Sequence, residues 1–189
     1  MHYYTLPVPP PTHAGDPKTG LILGVEHFRA AEVLRDDRIV YYESPTRMNF
    51  YQYHRWSSDP ATMLTDIVAE RLKQTGVFAD VRRLPSREPV DCVLRGRVSN
   101  FEEVDDQQGV KGRVTLGLTL VRSRDHKLLW SDMRRAESVA QCKGVPGVVE
   151  AINAASARVL DETLSLMLAE VEREFAQASR PDNRKGPER

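Results

Sequence analysis

Residues 113–120 read Arg113-Val114-Thr115-Leu116-Gly117-Leu118-Thr119-Leu120, and this stretch decides the fold. Apolar residues hold every second position, with small or polar side chains between them. Side chains alternate faces along an extended chain, so the pattern predicts a strand with one face in a core. Upstream, Val90 through Val104 alternates well enough for a second, long strand. Asp105-Asp106-Gln107-Gln108-Gly109 lies between the two and is a hairpin signal. Downstream, Ser123-Arg124-Asp125-His126 turns the chain into Lys127-Leu128-Leu129-Trp130-Ser131-Asp132-Met133. Three strands joined by short turns form an antiparallel meander.

Working outward, the period changes. After Gly144-Val145-Pro146-Gly147, the residues Val148, Ile152, Ala155, Val159, Leu160, Leu164, Met167, Leu168, Val171 and Phe175 fall on one helical stripe. They predict a helix of about 30 residues, long for a globular domain. Earlier in the chain, Ser58-Asp59-Pro60 puts a capping side chain before a proline, which has no N–H to lose at a helix start. Met63, Leu64, Ile67, Val68 and Leu72 follow at helical spacing, and Gly76 stands where a left-handed C-terminal residue is wanted. Further strands are expected at 21–28, at 38–43, at 47–53 after a Ser44-Pro45-Thr46 turn, and at 77–81. The expected fold is α+β, a mixed or antiparallel sheet with two helices packed on one face in the order β-β-β-α-β-β-β-β-α. Residues 1–18 read as a proline-rich N-terminal tether, since 7–17 hold five of the twelve prolines. Residues 19–177 read as one domain, and 178–189, without a large apolar side chain, as a disordered tail.

Composition narrows the function. Of 189 residues, 40% are hydrophobic and 29% charged, which is enough apolar material for a core. Lys+Arg and Asp+Glu both count 27, so the net charge is zero. That argues against a general nucleic-acid binder and against a polybasic membrane-surface module. No apolar run approaches the roughly 20 residues that span a bilayer, and no charged-then-apolar export signal opens the chain.

Catalytic constellations do not assemble. The five histidines show no His-x-x-x-His spacing, so no metal site is expected. No serine sits in Gly-x-Ser-x-Gly or Ser-x-x-Lys, and no phosphate-binding glycine spacing occurs, although Gly144-Val145-Pro146-Gly147 could hold an anion weakly. Glu102-Glu103 with Asp105-Asp106 reads as a solvated hairpin tip rather than a paired-acid site. The expectation is no catalytic residue, no metal and no cofactor.

Two features stand out. Cys92 and Cys142 would close a loop of roughly 50 residues, and a bridge there would contribute about 4 kcal/mol through chain entropy. Two unrelated buried thiols are the alternative. Nine of thirteen aromatic residues precede residue 57, including all six tyrosines. Within 41–56, Tyr51, Tyr53, Arg55 and Trp56 are the candidate interface residues, because exposed Tyr, Trp and Arg make interface hot spots. A core role for most of these rings is the competing reading.

The order of these pieces resembles a known family. Tyr3-Tyr4-Thr5-Leu6-Pro7 before a proline-rich run, Arg38-Ile39-Val40-Tyr41-Tyr42, and Tyr53-His54-Arg55-Trp56-Ser57 leading into Asp59-Pro60-Ala61-Thr62-Met63-Leu64 carry the likeness. So do Gly76-Val77-Phe78-Ala79-Asp80-Val81 and Leu94-Arg95-Gly96-Arg97-Val98 running to Phe101-Glu102. Over about residues 3–175 the chain resembles the ABC-type transport auxiliary lipoproteins, the group that includes paraquat-inducible protein C. The resemblance implies a fold like the N-terminal domain of TolB and no enzymatic activity. It implies a lipid anchor on a cysteine just upstream of Tyr3, a residue this sequence lacks, with the proline-rich run as spacer. It implies a periplasmic location, at the outer membrane, and docking to the MCE-domain protein of a lipid-transporting ABC system, with a homo-oligomer open and no nucleic-acid partner. The alternative is a carrier that holds a lipid or another ligand in a groove between the long helix and the sheet. The cysteine pair departs from the family pattern.

Overall fold

The computed structural model describes residues 1–7, 19–106 and 109–178. Its elements are β1 (His2–Tyr4), β2 (Ile22–Val25), β3 (Arg29–Ala30), β4 (Arg38–Ser44), β5 (Arg47–Trp56), α1 (Pro60–Gln74), β6 (Asp80–Arg83), β7 (Cys92–Asp106), β8 (Gly109–Arg122), β9 (Leu128–Val139) and α2 (Val145–Ala178). The meander is the spine. β7 pairs antiparallel with β8 from Cys92 opposite Arg122 to Asp106 opposite Gly109, and β8 pairs with β9. The other edge of β7 receives β2, β3 and β4 in turn, all parallel to it. β6 extends the sheet from β2, β5 from β4, and β1 lies parallel outside β5.

Both helices cover one face. α1 begins as the sequence dictates: Asp59 accepts from the Thr62 N–H at 3.0 Å, and Pro60 takes the first helical position. Met63, Leu64, Val68 and Leu72 are buried against the sheet. Arg71, buried, crosses from α1 to an ion pair with Asp161 of α2, so the helices are neighbours. Ile152, Ala155, Val159, Leu160 and Met167 of α2 have no exposure and fill the seam over Val114, Leu116, Leu118 and Leu120 of β8. Along β8 that seam is filled, so the alternative reading of a ligand groove between helix and sheet finds no room there.

The α+β expectation holds, with three corrections in detail. The segment expected as one strand over 21–28 is split, because the chain leaves the ladder to seat Phe28 in the core. There the Phe28 N–H donates to Thr65 Oγ1 of α1 at 3.0 Å. Its ring lies over Gly96, where an added Cβ would come within 2.4 Å of the ring. The strand expected at 77–81 starts later, at Asp80. Third, the first residues of the supposed tether are strand β1, hydrogen-bonded in register with His54 to Trp56. β1 and β2, the strands that flank the proline-rich run in sequence, belong to one sheet. That run from residue 8, and the tail from 179, fall outside the described residues.

Gly112 sets how closely α2 approaches. A Cβ there would lie 2.3 Å from the Ile152 amide nitrogen, and helix backbone cannot swing aside as a side chain can. Gly112→Ala is expected to destabilise the domain by about 1–3 kcal/mol, as overpacking does. Chemical denaturation measures it, and an unchanged midpoint would refute the close approach.

Candidate functional site

The candidate interface residues go to four different environments. Trp56 has no exposure; its indole packs edge-on against Phe101 with centroids 5.0 Å apart. It is a core residue, which corrects its placement in an interface. The cause is local: Trp56 ends β5, where its backbone N–H donates to the Asp37 carbonyl at 2.7 Å. Arg55 is half-buried and ion-paired with Asp37 at 2.6 Å. Tyr51 turns inward, and its hydroxyl donates to Glu103 Oε2 at 2.5 Å. Tyr53 alone of the four is open to solvent, at 61% exposure.

Tyr53 has company that the sequence reading missed. In the parallel β1–β5 pair, Tyr3 is level with Arg55 and His2 with His54. Alternation then puts Met1, Tyr3, Tyr53 and Arg55 on one face. Met1 and Tyr3 are 63% and 64% exposed, so an apolar, aromatic patch covers the outer edge of the sheet. On the opposite face the rings of His2 and Tyr4 stack on His54, and Tyr4 Oη shares a 2.8 Å hydrogen bond with His54 Nδ1. Burial and the neighbouring His2 hold the His54 pKa below the usual histidine value.

Glu102 and Glu103 correct a second expectation. They are not a solvated tip; both are buried within β7. The ladder carries a bulge between Val98 and Asn100. One extra residue exchanges the faces beyond it, so Phe101 and Glu103 share the helix-side face with Val98, and Glu102 takes the other. Burial raises both carboxyl pKa values. Glu102 is compensated: Asn100 Nδ2 donates to it at 2.9 Å and Arg113 lies 3.5 Å away, itself bound to Glu137 at 2.8 Å. Glu103 has no cation within ion-pair distance among the described residues; Tyr51 donates to it while Asp105 repels it. Burial, followed by the bond to Glu103, drives the Tyr51 pKa up. The sequence holds only a trace of this: Phe101 is out of phase with Cys92, Leu94 and Val98, while Val93 and Val104 blur the alternation.

Glu103 and Tyr51 line a cavity of about 390 Å³ at the start of α2, with Val110, Cys142, Lys143 and Val148. An apolar cavity of about 550 Å³ lies elsewhere, lined by Leu21, Val90, Cys92 and Leu129, with Arg122, Arg124 and Glu174 at its polar margin. Cys92 and Cys142 are free thiols at opposite ends of β7. Cys92 opens the strand, whereas Cys142 borders the cavity at Glu103. Eleven residues of extended chain separate those ends, roughly 35 Å, far beyond disulfide reach. Of the two readings the bridge is thereby corrected to two unrelated thiols, of which Cys142 is exposed rather than buried. Burial pushes the Cys92 thiol up to about 11. No cluster of candidate metal ligands occurs among the described residues, and no described helix is long and apolar enough to cross a membrane.

A mixed sheet under two helices is a fold shared with several solved structures. Residues 4–163 match the family described as ABC-type transport auxiliary lipoprotein component, and the chain belongs to that family. It is thus an auxiliary lipoprotein of ABC-type transport. Protein XCC0632 of Xanthomonas campestris has the same fold, with TM-score 0.82 at 21% identity, over 92% of this chain and 99% of that one. The hypothetical protein CT253 of Chlamydia trachomatis is similar at TM-score 0.57 and 7% identity, over 81% of this chain and 98% of that one. No curated protein matches the chain.

Two measurements check the site. The Glu103 pKa is raised in the fold, so the fold binds that proton more tightly than the unfolded chain does. Its stabilising effect is complete below the ordinary glutamate value of 4.5 and is lost as pH rises through the raised value. Glu103→Gln keeps an acceptor for Tyr51 and removes the buried charge. It is expected to raise Tm by several degrees near neutrality, with the gain fading as pH falls to 4.5. An equal shift at every pH would refute the buried charge. In native alkylation Cys142 reacts first and Cys92 only on unfolding, and both are titratable without reductant.

Proposed function

We propose that the chain is a non-enzymatic lipoprotein of the periplasm, held at the outer membrane by an acylated N-terminus. It docks onto the MCE component of an ABC system that moves lipids or other hydrophobic molecules between envelope membranes. The family supports the auxiliary role, and the exposed Met1, Tyr3 and Tyr53 edge carries the docking reading. Tyrosine supplies large contact area with few rotatable bonds, and such rings concentrate binding energy. A net charge of zero suits association by contact rather than by long-range field.

β1 also changes the geometry of anchoring. A lipid attached just upstream of Tyr3 leads directly into a strand of the sheet, with no flexible spacer between them. The β1–β5 edge would then stand beside the bilayer, and the docked partner would meet the domain there.

Co-purification of the lipidated and soluble forms with the neighbouring MCE protein tests the reading. Association is expected, and its absence for both forms overturns the docking role. Tyr3→Ala with Tyr53→Ala is expected to weaken association at least about tenfold with Tm unchanged. Unweakened association moves the interface off this edge.

The carrier alternative has one observation in its favour, the apolar cavity bounded by Leu21, Val90 and Leu129. Native mass spectrometry of protein taken from the envelope decides it: a retained lipid supports the carrier, and bare protein removes it.

A further inference from the structure

The cavity at the start of α2 holds a buried acid that the docking edge does not use. Glu103 is 7% exposed. One oxygen, Oε2, accepts from Tyr51, and the other receives no hydrogen bond among the described residues. That second oxygen is not among the sealed, unpartnered atoms of the interior, so it opens on the cavity. Its sequence neighbour shows what the fold does with a buried carboxylate that needs only structural compensation: Glu102 has Asn100 and Arg113. Desolvating a carboxylate costs several kcal/mol unless a cation and further hydrogen bonds offset it, and Glu103 has a single phenol. What is missing is a cation, and there is room for one: about 390 Å³ opening between Tyr51, Val110 and Val148. The Tyr51 hydroxyl, already donating to Glu103, has lone pairs left to accept. Its ring stands 4.7 Å from that of Tyr41, and such rings attract a cation over their faces.

We propose that this cavity is a binding site for a cationic nitrogen group, a primary ammonium or a guanidinium, held by the Glu103 carboxylate and the Tyr51 hydroxyl. The buried carboxylate accepts two of the group's N–H bonds, the phenol oxygen a third, and Val110 and Val148 exclude water from the pair. Lys143, exposed at the cavity wall, disfavours a bare dication and favours a group accompanied by negative charge. The group reaches the cavity either on a free amine or as the arginine or lysine side chain of a docked protein.

Amide chemical-shift titration of the intact domain with n-butylguanidine, a single cation, tests this, with butanol as the uncharged control. Saturable shifts are expected at Tyr51, Glu103, Val110 and between Cys142 and Val148, with Kd in the millimolar range. Butanol should leave them unmoved. Glu103→Gln is expected to bind at least about tenfold more weakly, the loss of a charge-assisted bond. That variant is expected to keep the fold, and its thermal melt, recorded alongside, separates weakened binding from unfolding. A parallel titration uses a glycine-serine peptide with a single arginine. Tighter binding of the peptide than of n-butylguanidine assigns the group to a protein side chain, and equal or weaker binding to a free small-molecule cation. No saturable shift with either probe, or undiminished binding by Glu103→Gln, overturns the proposal.

Discussion

One extra residue in β7 organises this domain. Up to Val98 the even positions of the strand face the helices, and beyond the bulge at Ser99 the odd positions do. Without that change of phase Asn100 and Glu102 would enter the core and Phe101 would leave it. Phe101 is the platform against which the fully buried Trp56 packs. Glu103 arrives at the cavity for the same reason. The bulge thus couples the packing of the first third of the chain to the placement of its one buried acid without a cationic partner among the described residues.

The second organising constraint is the length of β7. It outruns each of its parallel neighbours, so β2, β3 and β4 share one edge in succession while β8 covers the other throughout. β7 is thus flanked on both edges, and the exposed edges of the sheet are passed outward to β1, β6 and β9. β9 is protected by charge: Asp132, Arg134, Arg135 and Glu137 pair with one another or with Arg113 along it. β1 carries tyrosine instead, which leaves it the edge better suited to take a partner.

The sequence made the meander, both helices and the Asp59–Pro60 cap legible because each rests on local physics: alternation, helical spacing and an orphan amide. Trp56 was not placed correctly, since burial of one ring in an aromatic run depends on what crosses it, and Phe101 lies 45 positions away. β1 escaped notice for a related reason. Three residues beside a proline run have no periodicity, and only their pairing with His54 to Trp56 makes them a strand. The cysteines illustrate loop arithmetic without geometry: spacing alone permits a bridge that a long extended strand between them forbids. Glu103 escaped for the same reason: Val93 and Val104 blur the alternation around Phe101, and only the pairing with β8 shows the bulge.

Two adjacent glutamates in one strand end in opposite electrostatic situations, and the contrast is informative about purpose. Glu102 faces β8 and β9, where Arg113, Glu137 and Arg135 form a chain of alternating charge. Such a network lets a buried carboxylate remain ionised within the fold, and it asks for nothing from outside. Glu103 faces the helix side, where apolar packing supplies no cation, and its hydrogen bond to Tyr51 offsets only part of its desolvation. A fold selected for stability alone would hold glutamine or an apolar residue there. Retaining the acid is a standing cost to the domain, and the cavity in front of it is where that cost can be recovered by a cation from outside.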